Sequence, residues 1–130
     1  MPGVPNNITN VTIRHRVDNH LLQESLHLYK SVKERLSQNN FDEALVLTYQ
    51  ISHPAFKSDA INALFPQFVV RKPQEVVALL AQIQDPLIKI DCQTFACFKL
   101  NQLGLKHLVR QVSDASDSLE VKRTAARLLQ

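Results

Sequence analysis

At 130 residues the chain carries one domain's worth of material, and 45% hydrophobic with 21% charged residues places it among chains that bury a core, away from the disordered class. Two glycines, Gly3 and Gly104, cannot write a phosphate loop or a dinucleotide fingerprint, and so few glycines disfavour a sandwich or barrel with many special turns. Fifteen Lys/Arg against twelve Asp/Glu give a net charge of +3, too mild and too dispersed to mark a dedicated polyanion binder.

In chain order, Met1 to Asn7 has loop composition, and the alternation between Ile8 and Val17 allows a short strand or an extended segment packed on the first helix. Residues 1–18 are therefore expected as a flexible N-terminal arm and residues 19–130 as one helical domain. Beyond the arm, Phe41 to Pro54 aligns with Pro73 to Pro86 at an offset of 32 without gaps, and Leu105 to Val112 aligns with Val76 to Ile83 at an offset of 29. Each copy spaces its apolar residues i, i+3, i+4, i+7, as in Ala44, Leu47, Thr48 and Ile51, which is one face of a short α-helix. Asn40 with Glu43 forms a capping-box pattern, and Pro73 suits a first helical position.

The stretches between the short copies align as well. Leu28, Ala60, Cys92 and Val121 form one apolar column; Val32, Leu64, Ala96 and Ala125 a second; Leu36, Phe68, Leu100 and Leu129 a third. Steps of four specify helix, and Pro54 and Pro86 open the second and third long helices. Long helices are thus expected at 19–37, 55–70, 87–103 and 117–129, with short ones at 41–51, 74–83 and 105–113. The resulting fold class is all-α, a short α-solenoid of about seven antiparallel helices in helical-hairpin repeats joined by connections of hairpin length.

Gln38-Asn39-Asn40-Phe41-Asp42-Glu43-Ala44-Leu45, followed by Ile51-Ser52-His53-Pro54, resembles the second helix and closing proline of a tetratricopeptide-type repeat, whose period is 34. The resemblance extends over roughly residues 20–130. It implies a surface for a protein or peptide partner and no reaction.

The same segments carry residues with possible chemistry. His20, Glu24 and His27 stand at i, i+4, i+7, so a metal could be held there, although the same spacing describes an ordinary solvated helix face. Cys92, Cys97 and His107 allow a second metal set, against which both cysteines occupy core columns. Cysteines five apart on a helix point away from each other, so no disulfide is expected. His53 and Asp85 precede prolines, where turn chemistry accounts for them. No nucleophile elbow or catalytic motif is present, so neither an enzyme nor a cofactor or metal is expected.

The polar column His27, Asp59, Asp91 and Glu120, with Lys30, Asn62, Thr94 and Arg123 three residues on, is the candidate partner-binding stripe, because equivalent polar positions in stacked hairpins make a continuous face. The competing reading gives these carboxylates to neighbouring backbone or to Lys57 and Lys89 as structural ladders. The function expected is a non-enzymatic protein- or peptide-binding module, an adaptor, chaperone-like or effector domain. The alternative is nucleic-acid binding across the basic edges formed by Lys99, Lys106, Arg110, Lys122, Arg123 and Arg127. With no apolar run of membrane length and no signal-peptide pattern, a cytoplasmic protein without membrane contact is expected. In the last helix Val121, Ala125 and Leu128 should pack inward. Leu119 and Leu129 should stay toward an open end, which would favour self-association, partner docking or continuation into a longer solenoid.

Overall fold

The computed structural model describes residues 3–130, with side chains from Asn19 onward. Its described residues form seven α-helices and no strand: α1 (Gly3–Ser37), α2 (Phe41–Gln50), α3 (Pro54–Arg71), α4 (Val76–Leu80), α5 (Pro86–Gln102), α6 (Lys106–Ala115) and α7 (Leu119–Leu128), with a 3-10 turn, Pro73–Glu75, ahead of α4. The arm expected over 1–18 lies outside the residues whose side chains are described. The backbone from Gly3 belongs to α1, so the first helix begins before residue 19 and Ile8 to Val17 is not a strand.

Helix starts follow from local chemistry. Asn40 Oδ1 accepts from Glu43 N at 3.3 Å while its Nδ2 donates to Glu43 Oε2 at 2.7 Å, so the cap at α2 is reciprocal between side chains. Pro54 and Pro86 are the first residues of α3 and α5, where a missing N–H costs nothing. His53 and Asp85 cap those helices, His53 Nδ1 accepting from Ala55 N at 3.3 Å and Asp85 Oδ1 from Leu87 N at 2.9 Å and Ile88 N at 3.1 Å. Helices α1 and α5 end alike. Asn39 (φ 58°) and Gly104 (φ 77°) are left-handed, and the next amides, Asn40 N and Leu105 N, reach back to Arg35 O at 2.8 Å and Leu100 O at 2.9 Å, the Schellman closure.

One short helix differs from expectation. In place of a regular helix over 74–83, Pro73–Glu75 is a 3-10 turn, α4 covers only Val76–Leu80, and the tail tightens as Gln82 N donates to Leu79 O at 3.0 Å and Ile83 N to Leu80 O at 3.2 Å. The tighter winding delivers Ile83 into the core before Pro86 starts α5.

The long helices pack in chain order, α1 on α3, α3 on α5 and α5 on α7, while α2 lies against α1 and α3, α4 against α3, α5 and α6, and α6 against α5 and α7. The three apolar columns point into this packing. Val32, Leu64, Ala96 and Ala125 are fully buried, as are Ala60, Val121, Phe68 and Leu100, with Cys92 nearly so; Leu28, Leu36 and Leu129 are half-buried. One continuous core runs from Phe41 and Leu45 on α2 to Val121 and Ala125 on α7. Each large side chain fully buried there contributes about 1.5–3 kcal/mol.

Buried polar groups tie each long helix to the loop that enters the next. Ser25 Oγ on α1 accepts from His53 N at 3.1 Å, and Ser58 Oγ on α3 accepts from Gln84 N at 3.2 Å and Asp85 N at 3.3 Å. On α5, Gln93 Oε1 accepts from Ser116 Oγ at 3.0 Å. At the C-terminal helix Val121 and Ala125 are buried and Leu128 packs on the core, and Leu119 is 62% exposed. Leu129 departs from expectation. It is half-buried against the core because its amide closes the last turn onto Ala125 O at 3.0 Å and holds the residue inward.

Candidate functional site

The outward face of the long helices, opposite the sides that pack on α2, α4 and α6, carries the polar stripe. His27 and Lys30 on α1, Asn62 on α3, Asp91 on α5 and Glu120 and Arg123 on α7 are exposed, and Asp59 and Thr94 are half-buried. Helical spacing puts the pairs 27/30, 59/62, 91/94 and 120/123 on one face of each helix. Across the contact between α3 and α5, Cys92 Sγ donates to Asn62 Oδ1 at 3.5 Å.

Ion pairs with Lys57 and Lys89 were one form of the competing account of these carboxylates, and they do not form. Among the described residues Asp59, Asp91 and Glu120 lie within 4.0 Å of no cationic nitrogen; the pairs that do form are His20–Glu24, Arg35–Glu43 and Lys72–Glu75. The row of carboxylates is therefore unneutralised from within the described chain.

Beside this row lies an apolar band that the residue pattern did not reveal. Phe95 is 37% and Phe98 50% exposed on α5, four and seven residues after Asp91, hence on the same face. Phe95 is held edge-on against Phe65 of α3, with ring centroids 6.1 Å apart and an interplanar angle of 69°. On α3 the exposed Pro66 and Val70 continue the face beyond Asn62. Pro66 stands inside the helix and, lacking an N–H, leaves the Asn62 carbonyl without its helical donor. Between α5 and α7, Phe98, Thr124, Arg127 and Leu128 line a hollow of about 160 Å³. Phenylalanines at helical spacing read as core in a sequence. The signal available was the next column along, Glu34, Pro66, Phe98 and Arg127, which mixes residue types as a buried column does not.

The other candidates resolve differently. His20 Nε2 approaches Glu24 Oε2 at 3.8 Å with both side chains exposed, and no three His, Cys, Asp or Glu side chains among the described residues gather as a metal site would require, His27 included. Cys92 and Cys97 are free and buried, whereas His107 is exposed. Burial, with Asp91 adding to it, pushes the Cys92 thiol up to about 12, and burial alone pushes Cys97 to about 11. Both are therefore protonated near neutrality and poor nucleophiles. Of the basic-edge residues, Lys106, Arg110, Arg123 and Arg127 are exposed, Lys99 is half-buried with its Nζ 3.5 Å from Gln102 Oε1, and Lys122 Nζ donates to Ser113 O at 3.0 Å at the end of α6. No helix of the described residues is long and apolar enough to cross a membrane. No family model matches the chain, and neither a curated protein nor a solved structure is significantly similar to it.

Proposed function

We propose that the protein is a non-enzymatic binding module, a short stack of helical hairpins of tetratricopeptide-like type, which holds a basic, apolar protein or peptide segment on the outward face of its long helices. The observation that carries this reading is the unneutralised row Asp59, Asp91, Glu120 lying beside the exposed Phe95 and Phe98. Exposed aromatics on a helical surface can serve as anchor positions. Carboxylates around them favour Lys or Arg on the partner and speed its arrival.

The hairpin reading is supported by two facts about α2. Its start meets the end of α1, Arg35 Nε lying 2.9 Å from Glu43 Oε1, and the residues after it return to the middle of α1 through the Ser25–His53 hydrogen bond. The Ser58 and Gln93 bonds to the loops before α5 and α7 repeat the tie, as stacked units would. Self-association through α7 would rest on Leu119 alone, since Leu129 packs inward.

The test is a selection from displayed random peptides, followed by titration of the enriched peptide. Enrichment in sequences pairing Lys or Arg with aliphatic or aromatic residues, and at least a tenfold loss of affinity for Phe98→Ala and for Asp91→Lys, supports the reading. Enriched peptides of other chemistry, or binding indifferent to both variants, contradicts it. Tight binding of a single-stranded oligonucleotide, with log K falling steeply against log salt, would assign the basic edges a nucleic acid instead.

A further inference from the structure

The geometry points to a binding site for a small zwitterion of the aliphatic α-amino-acid class in the cleft between the N-terminal ends of α5 and α7. This site is separate from the outward face and does not depend on the peptide-binding reading. The cleft has a volume of about 250 Å³ and is lined by Pro86, Lys89, Ile90, Gln93, Asp117 and Ser118. It is smaller than the roughly 300–1,000 Å³ of sites for drug-sized ligands, and corresponds to about eight times the roughly 30 Å³ of a water molecule. That is room for a ligand the size of valine.

Gln93 gives the cleft wall a polar group. The side chain is only 3% exposed. Its Oε1 accepts from Ser116 Oγ at 3.0 Å, and that hydroxyl itself accepts from Ser118 N at 3.1 Å, which directs the Ser116 proton to Gln93. The Gln93 Nε2 group makes no hydrogen bond to another described residue and is open to solvent, so its N–H donors are available to a ligand in the cleft that Gln93 lines.

The charges on the walls select the ligand. Lys89 and Asp117 both line the cleft yet form no ion pair within 4.0 Å, with each other or with any other described residue. A simple anion would gain Lys89 and meet Asp117; a simple cation would do the reverse. A zwitterion satisfies both, its carboxylate accepting from Lys89 Nζ and Gln93 Nε2 and its ammonium donating to Asp117. An aliphatic side chain fits the remaining surface, Pro86 and Ile90. A smaller hollow of about 80 Å³ that shares Lys89 and Gln93 adds Val77, Leu80 and Val112.

The test is titration of the whole protein with L-valine, followed by the side-chain amide resonances of Gln93, alongside L-valinamide, which lacks the carboxylate, and N-acetyl-L-valine, which lacks the ammonium. Saturable shifts with a Kd on the order of 1 mM or tighter are expected for valine. Each analogue, and each of Lys89→Met and Asp117→Asn, should weaken binding at least about tenfold, with helicity by circular dichroism unchanged. The proposal is overturned if valine leaves the Gln93 resonances unmoved up to about 50 mM, well beyond that Kd range. It is also overturned if the blocked analogues bind as well as valine, or if binding survives both substitutions.

Discussion

The two sides of α5 invert the usual relation between size and burial. Facing inward are Cys92, Ala96, Cys97 and Leu100, all at 0–2% exposure, while Phe95 and Phe98, larger and as apolar, stand 37% and 50% exposed on the outward side. The difference is one of space. Ala60 on α3, Ala96 on α5 and Ala125 on α7 are fully buried, and small residues on the inward faces let the helices close without a void. The buried rings of this core come from α2 and α3, as Phe41, Phe65 and Phe68. On the binding function proposed above, Phe95 and Phe98, large apolar groups kept in water beside unpaired carboxylates, serve as a partner's anchor points.

Exchanging the two sides should break this contrast. Leu100→Asp buries a carboxylate without a partner, at several kcal/mol out of a typical total of about 5–15 kcal/mol, and loss of the helical circular dichroism signal is expected. Phe98→Asp on the outward side should keep the fold, with stability in urea changed by no more than about 1 kcal/mol. Ala96→Phe, which forces a ring into the packed core, should destabilise by about 1–3 kcal/mol through overpacking, read as a lower urea midpoint. Ser58→Ala leaves Gln84 N and Asp85 N without their shared acceptor and should cost about 1 kcal/mol or somewhat more. Ser25→Ala, which frees only His53 N, should cost less.

The most gradual effect is in pH. Both buried thiols are raised in the folded chain, to about 12 and about 11, from an ordinary value of 9.0. Above about pH 9 the unfolded chain releases thiol protons that the folded one keeps, so stability should be intact below pH 9 and decline from pH 9 to about 12, the folded value of Cys92. Cys92→Ala/Cys97→Ala should flatten that decline. Alkylation at pH 8 should be slow in the native protein and fast in urea.

Much of the fold was legible because periodicity reports burial directly. The columns through Val32, Leu64, Ala96 and Ala125 placed the long helices within a residue or two at nearly every end, and the prolines at 54 and 86 opened α3 and α5 where a missing N–H is harmless. The α4 region was harder, since Val76 to Ile83 carries helical spacing and only the need to bury Ile83 just before Pro86 tightens its winding. Of the candidate site, the exposure of His27, Lys30, Asn62, Asp91, Glu120 and Arg123 was readable, because the apolar columns leave the opposite side of each helix to solvent. Phe95 and Phe98 were not, for spacing does not tell which of two faces of an apolar helix a ring takes. Nor were Ser25, Ser58 and Gln93, whose partners lie 23 to 28 residues away and whose types look ordinary on a helix.

The most direct test of the outward face as the binding surface is a backbone amide shift map of the isotopically labelled protein on addition of a selected basic, apolar peptide. Shifts concentrated at Asp59, Asn62, Asp91, Phe95, Phe98 and Arg127 are the expected result. Shifts concentrated instead on the short helices, at the exposed Val46 and Tyr49 of α2 or along α6, would contradict the account.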